Sequence, residues 1–383
     1  MIDKPLRPEG AEPARTSDQI AALLRDDPAL QGSALAAPAT AYHAPLDAEK
    51  GAQAASVAAQ RDAALAAGTT RPDPSRAPDL SIVIVNWNTI DLLRDVLASV
   101  RAGQGGLCLQ TIVIDNASSD GSAEMVAEDF PEVALIRNAE NRGFAAANNQ
   151  GFEIARGRHI LLLNSDTLVL GEVLPASVAW LDAHPEVGAM GCRVLNPDRT
   201  MQRTCSMFPS HLNLLLLTSG LWRLKRPAFF GRYQMMDWAR DDEREVESIS
   251  GCYLMLRREV LEGVGPLDET FFFFGEETDW CRRMRDAGWK LVFTPVGEII
   301  HYGSVSARKL NHRRDLMLTE ATVRLHRKHG GPLAAGAAWA ILFGFNLSRA
   351  AAWSALSLLR PARAAERARH FRRVVAGQLA GGG

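Results

Sequence analysis

The chain has 383 residues, 47% hydrophobic and 23% charged, with a formal net charge of −1 at pH 7. These are globular values that allow a sizeable core in one large or two ordinary domains, and a charge this close to zero argues against a nucleic-acid partner, which needs a basic excess. The five cysteines (Cys108, Cys192, Cys205, Cys252 and Cys281) are scattered without a CxxC pair, which argues against a disulfide framework or thiolate zinc site and favours a reducing, cytoplasmic setting.

Residues 1–78 are rich in Ala, Pro and Asp. They read as a largely disordered arm with helix-prone stretches at Ser17–Arg25 and Ala48–Gly68 but little apolar surface to bury. Met1–Thr16 lacks the apolar core of a secretory signal. Order is expected from Leu80, where a β-branched run ends in Asn86-Trp87-Asn88. A helix over Asp91–Val100 follows, then a strand at Leu109–Ile114 ending in Asp115-Asn116 and a Ser/Asp/Gly turn. A helix from Ala123, a strand at Val133–Arg137, a helix over Ala145–Ala155 and a strand at Ile160–Leu163 complete the alternation. Strands alternating with helices of this length predict a parallel α/β sheet. No GxGxxG or GxxxxGK[ST] loop occurs at any strand–helix turn, so neither a dinucleotide fold nor a Walker-type site is supported.

The second half is less regular. Strands are expected at Val187–Val194, Ser248–Arg257, Lys290–Thr294 and Glu298–Ile300, and helices at His211–Leu224, Arg258–Gly263 and Thr278–Gly288. Asn196–Thr200 reads as a polar hairpin-like loop and Lys225–Glu247 as a long mobile one. Residues 331–383 combine an apolar stretch, Leu333–Leu359, with a run carrying Arg363, Arg367, Arg369, Arg372 and Arg373. Arg349 makes a clean membrane span expensive. A helical hairpin or an interfacial helix with arginines on anionic headgroups suits the pattern better. A helix pair packed on the domain, or the interface of a homo-oligomer, is the alternative.

Several polar clusters stand at strand ends, where open α/β sheets bind ligands. Asp115 can accept the N3–H of a uracil or thymine ring, yet without further context it reads, like Asp120, as a turn-shaping residue that caps a helix. Asn141-Arg142-Gly143-Phe144 and Asn148-Asn149 combine a permissive glycine with helix amides, which more often fix a turn than bind a ligand. Leu161-Leu162-Leu163 runs into Asn164-Ser165-Asp166, and Asp166 could converge with Asp115 on one crevice, where a hard divalent cation would favour carboxylate oxygens. Glu276, Glu277 and Asp279 open a helix behind Phe271–Phe274, an apolar wall that would raise a carboxyl pKa toward the range of a general base. His301 stands at another strand end.

These motifs in this order, from about Leu80 to His329, resemble the family 2 inverting glycosyltransferases of the GT-A fold, especially the rhamnosyltransferase-like branch. The resemblance implies a Rossmann-like nucleotide-diphospho-sugar transferase domain over 79–330 with a mostly parallel sheet. It places Asp115 at the donor's uracil or thymine, beside Asn86 and Asn88, with Asn141, Arg142, Gly143, Asn148, Asn164 and Ser165 around the donor. Asn164-Ser165-Asp166 stands where the family has its metal-binding DxD, so Asp166, assisted by His301, would hold Mg²⁺ or Mn²⁺. Glu276-Glu277 occupies the usual Glu-Asp position, which makes Glu277 the base, with Glu276 or Asp279 as substitute. Arg199, where the family has glycine, Gly251 and Trp280 fall on the acceptor side. The expected reaction transfers a sugar, L-rhamnose from dTDP-rhamnose being favoured over a UDP-sugar, to a lipid-linked or cell-surface glycan precursor at the inner face of the membrane. The competing readings are a sugar-nucleotide nucleotidyltransferase and a degenerate glycan-binding protein.

Overall fold

In a computed structural model that describes residues 77–221, 227–303, 312–359 and 361–381, the chain builds on β1 (Leu80–Asn86), whose side chains alternate between two cores. Leu80, Ile82 and Ile84 face one core and Val83 the other, as the period of two in a strand requires. The helices expected in the N-terminal arm lie outside the described residues.

In chain order there follow α1 (Ile90–Ala102), β2 (Leu109–Asp115), α2 (Ser122–Asp129), β3 (Ala134–Arg137), α3 (Gly143–Ile154), β4 (His159–Leu163), β5 (Thr167–Val169), α4 (Val173–Ala183) and β6 (Val187–Leu195). Then come β7 (Cys205–Ser206), α5 (His211–Ser219), the short α6 (Pro227–Phe230), β8 (Arg244–Glu245), β9 (Ser248–Ile249), β10 (Tyr253–Arg257), α7 (Arg258–Val264), α8 (Glu276–Asp286) and β11 (Lys290–His301). The chain closes with α9 (His312–Leu359) and α10 (Pro361–Gly381).

Nine strands form one sheet in the order β3-β2-β1-β4-β10-β6-β11-β5, with β8 beside β11. β1 through β4, β6 and β11 run one way; β10, β5 and β8 oppose them. The sheet is mixed with mostly parallel strands, as the alternation predicts. Buried residues of α1, α2 and α4 cover one face, and those of α3, α7 and α8 the other. The crossover helices therefore bury both faces, and the strand ends become the place where polar side chains can gather.

Four expectations need correction. The strand expected at Ser248–Arg257 is broken: β9 pairs with β7, β10 enters the large sheet, and Ser250–Cys252 between them is left to bond elsewhere. The two strands expected at Lys290–Thr294 and Glu298–Ile300 are one, carrying a register shift between Phe293 and Glu298. The helix expected to reach Leu224 ends at Ser219, because Gly220 turns left-handed at φ 76°. The aperiodic 225–247 stretch, in its described part, is pinned rather than loose: the buried Arg240 donates to the carbonyls of Gln234, Trp238 and Cys205 at 2.9, 3.1 and 3.3 Å. A guanidinium has no short-range period, so only its partners reveal this role.

The tail is a helical hairpin. α9 runs from His312 across a break at Gly331 (φ 78°) followed by Pro332, and α10 folds back along it. Asn346 Nδ2 donates to Gln378 Oε1 at 2.8 Å inside the pair, and His370 Nε2 meets Asp315 Oδ2 at 3.0 Å. Leu333 and Leu358 point outward, 90% and 86% exposed. By length and composition α9 could cross a bilayer. The helical turns His312–Gly330 were not anticipated as such; they precede the apolar stretch and carry cationic groups that reach α8.

Candidate active site

The parallel register places Asn86 opposite Asp115 at the ends of β1 and β2. Both are buried, and Asn86 Nδ2 donates to Asp115 Oδ1 at 3.3 Å and to Ser118 Oγ at 3.1 Å. Ser118 N donates to Asp115 Oδ2 at 3.0 Å. Each carboxylate oxygen thus has one protein donor and keeps a second lone pair. Asn88, at φ 54°, uses its Oδ1 to accept from Ser119 N at 2.8 Å, so it holds the turn around Asp115. Asp120 caps its own helix, accepting from Ser122 N at 3.1 Å as expected, and also α1, through Ile90 N at 2.9 Å.

Asn116, not singled out among the site candidates, is the hub of the next turn. Its Oδ1 accepts from Arg142 N at 3.0 Å and Asn138 Nδ2 at 3.1 Å, and its Nδ2 donates to Asn141 Oδ1 at 2.8 Å. Asn141 Oδ1 also takes Gly143 N at 2.9 Å. Gly143 has φ 81°, and a Cβ there would stand 2.5 Å from Phe272 O, so no larger side chain fits. Arg142 is exposed at this edge. Asn148 lies deeper, its amide donating to Phe144 O at 2.9 Å one turn back, and Asn149 bridges to Leu267 N and O at 3.0 and 2.9 Å. Both amides are committed to the fold, the ordinary use of a helix amide.

β4 delivers Asn164, Ser165 and Asp166 beside β1; Ser165 Oγ lies 3.1 Å from Thr89 Oγ1, which donates to Asn86 Oδ1 at 2.6 Å. The antiparallel pairing of β11 with β5 sets His301 opposite Thr167. As a result His301 Nε2 lies 3.2 Å from Asp166 Oδ1 and 3.3 Å from Asn164 Nδ2. Gln202, in the hairpin after β6, orients the ring. Its Nε2 donates to Asn196 Oδ1 at 2.8 Å and to His301 O at 3.2 Å, which turns Oε1 toward His301 Nδ1 at 2.6 Å. Nδ1 therefore carries the proton, and in the neutral ring the Nε2 lone pair faces a carboxylate oxygen. A cation between them relieves that arrangement. Ligands at cis positions around an ion bound at ~2.1 Å lie about 3 Å apart, so the pair fits two ligands of Mg²⁺ or Mn²⁺. Among the described residues no three His, Cys, Asp or Glu side chains converge, which would leave the remaining positions to water and phosphate oxygens. Arg199 in the same hairpin has φ 64°, the left-handed conformation that favours glycine.

Glu276 and Glu277 enter α8 behind two consecutive left-handed residues, Phe274 (φ 72°) and Gly275 (φ 89°). Burial pushes the Glu276 carboxyl well above the usual carboxylate range, with the Glu277 charge adding to it. Burial also raises Glu277, but hydrogen bonds from its own N–H, the Glu276 carboxyl and the Gly251 N–H act the other way. Of the two, Glu276 is the more strongly raised, and Glu277 is the one with lowering contacts. An Oε2 of each is buried without a partner. Of the phenylalanines before them, Phe271 packs with Ala321, Leu325 and Phe274, Phe272 lies against Gly143, and Phe273 turns its edge to Phe144. The thiols of Cys205, Cys252 and Cys281 are pushed up to about 12 by burial and offer no nucleophile.

The remaining assignments diverge from the sequence reading. Trp280 is fully buried, stacks on Phe152 at 5.3 Å and donates to Gly265 O at 2.8 Å, so it is core and not an acceptor surface. Asp279 is engaged by Arg283, Lys328 and His329, which commit its lone pairs and make it a poor base. Gly251–Cys252 lies between the two acidic regions: Gly251 N–H counteracts the rise of the Glu277 carboxyl, the Cys252 thiol is raised by both Asp166 and Glu277 besides its burial, and Cys252 O accepts from Asn164 N at 3.4 Å.

Residues 81–265 match the family model described as glycosyl transferase family 2. The chain is 28% identical over 244 residues to the O-antigen biosynthesis protein RfbC of Myxococcus xanthus, covering 60% of this chain but 18% of that protein. It is 26% identical over 243 residues to the N-acetylglucosaminyl-diphospho-decaprenol L-rhamnosyltransferase of Mycobacterium tuberculosis, covering 58% of this chain and 76% of the relative. A solved mannosyltransferase, PcManGT from Pyrobaculum calidifontis in complex with GDP-Man and Mn²⁺, aligns at 19% identity and a TM-score of 0.47 over 86% of this chain and 98% of its own. The segment that runs from β1 through α7 is a glycosyl transferase family 2 domain, and His301 and the Glu276–Glu277 pair lie beyond the matched residues.

Proposed function

We propose that the chain is an inverting, metal-dependent glycosyltransferase that moves a sugar from a uracil- or thymine-nucleotide donor to an acceptor hydroxyl. The observation that supports this reading is the turn at Cys252: its backbone O accepts from Asn164 N at 3.4 Å, its thiol is raised by the charges of both Asp166 and Glu277 besides its burial, and His301, 137 residues from Asn164, lies 3.3 Å from that residue's amide. Asp115 takes the N3–H of the base through a remaining lone pair. Asp166 and His301 hold Mg²⁺ or Mn²⁺, which when bound supplies positive charge for the diphosphate leaving group. Glu277 accepts the proton of the acceptor hydroxyl, and that oxygen attacks the anomeric carbon as the bond to the diphosphate oxygen breaks on the opposite face. The proton ends on the Glu276–Glu277 pair, and the nucleoside diphosphate leaves. No enzyme nucleophile is needed for this single displacement.

The relatives' names support L-rhamnose as the sugar and a lipid-linked or cell-surface polysaccharide precursor as acceptor; dTDP-rhamnose is the donor proposed with them. The exposed leucines and arginines of the tail hairpin suit contact with the inner face of the membrane. The test is a thermal-shift panel of UDP-, dTDP- and GDP-sugars with and without Mn²⁺, run on the wild type and Asp166→Ala. The dTDP- and UDP-sugars should stabilise the wild type in a Mn²⁺-dependent way that Asp166→Ala loses. Preference for a GDP-sugar would overturn the role of Asp115.

A further inference from the structure

Asp279 sits two residues after Glu277 in the first turn of α8, with its side chain wholly removed from solvent. Its Oδ2 accepts from Arg283 Nε at 2.9 Å and from Lys328 Nζ at 2.9 Å, and its Oδ1 accepts from His329 Nε2 at 2.8 Å. Lys328 also reaches Asp268 Oδ2 at 2.6 Å, and Arg283 spends its other N–H groups on Val264 O and Pro266 O at 3.0 and 2.7 Å. Lys328 and His329 end the first straight segment of α9, just before the break at Gly331. The His329 ring meets Phe208 edge-on at 5.8 Å, and beyond the break Ala334 O accepts from His211 Nε2 at 2.9 Å. The tail is thus fastened to α8 and α5 on either side of its own bend.

Successive helix residues advance by about 100°, so Asp279 points roughly 200° around the axis from Glu277. Glu277 faces Gly251 while Asp279 faces α9. A clamp on the far side fixes the rotation of α8 about its axis, and with it the position of the Glu277 carboxylate. We infer that Asp279 is a positioning residue for the Glu276–Glu277 pair, held in place by Lys328 and His329, so that the C-terminal helices complete the transfer site. Both partners lie beyond residue 265, where the family match stops. The inference rests on Glu277 being the base.

The test uses the purified full chain and the variants Lys328→Met, Lys328→Arg and His329→Gln, read by transfer kinetics and by amide hydrogen exchange over 276–286. Misplacing a catalytic group by ~1 Å costs about 10²-fold in rate, so Lys328→Met should lower kcat by about 10- to 100-fold with donor KM within about twofold. Arg283 on α8 and His329 on α9 then remain to offset the Asp279 charge, with Asp268 released from Lys328. The less compensated charge should shift the acid limb of the pH–rate profile upward, whereas a loss of folded protein would lower the rate equally at every pH. Lys328→Arg and His329→Gln, which keep a cation and an N–H donor, should recover most of the rate. Exchange over 276–281 should quicken in Lys328→Met while β1 and β2 stay protected. Unchanged exchange there, or an unshifted profile with wild-type kcat, overturns the clamp. A wild type that turns over no nucleotide-sugar overturns the base reading instead, whatever the exchange shows, and with it the catalytic half of the inference.

Discussion

Replacing Glu277 by glutamine separates chemistry from stability. The substitution keeps the shape, and a side-chain oxygen can still accept the Gly251 N–H, but the group can no longer take a proton. A positioned general base contributes roughly 10²–10⁴-fold, or about 2.7–5.4 kcal/mol of barrier at 1.36 kcal/mol per decade. The cost to folding is smaller: a hydrogen bond to a charged acceptor becomes a neutral one, a difference of about 1 kcal/mol, and relief from burying an ion offsets part of it. For a chain of this size that moves the melting temperature by no more than about 4 °C. The assay is release of nucleoside diphosphate and product under single turnover, beside donor affinity measured on the same samples. Transfer should fall at least 10²-fold with donor affinity within about twofold. The wild-type rate should rise with pH through a limb above the ordinary carboxylate range, since burial raises Glu277. Folding shows the opposite sign. A carboxyl raised in the folded state contributes stability below its unfolded pKa that is lost as pH rises through the folded value, so the variant should flatten that part of the stability curve. Full transfer activity in Glu277→Gln would refute the base assignment.

Three further outcomes follow from named contacts. Gln202→Leu removes the acceptor that fixes the His301 tautomer, and loss of such an outer partner typically costs 10–100-fold in metal affinity; a Mn²⁺ titration of donor binding checks this, and an unchanged midpoint contradicts it. Arg199→Gly relieves a left-handed backbone and should stabilise the fold by about 1 kcal/mol, read as a melting temperature about 2–4 °C higher; a lower value would show that the side chain is needed where it lies. Deleting residues after Gly331 should release the protein from membranes, and unchanged fractionation would refute the tail's proposed role.

Much of the first half was legible because its cues are local. β-branched runs of strand length, helices of ten or so residues between them, and polar residues at each strand end set β1, β2 and β4 and their order. The left-handed Gly143 and the turn acids Asp115 and Asp120 carry their geometry in their own residue types. What the sequence could not decide was partnership across distance. That Asp166 meets His301 follows from β11 pairing antiparallel with β5, and that Glu277 meets Gly251 follows from the break between β9 and β10; neither leaves a period or spacing. Trp280 and Asp279 were read onto the site because they share a motif with Glu277, yet a helix turns about 100° per residue, so neighbours in a motif face different surroundings. Gln202, Lys328 and His329 carry no short-range signature at all, and Asn116 shows only as a strand-end turn residue. The local chemistry of each strand end was fixed by its own residues, while long-range packing alone determined which ends meet, because hydrogen bonds between them depend on the register of the sheet.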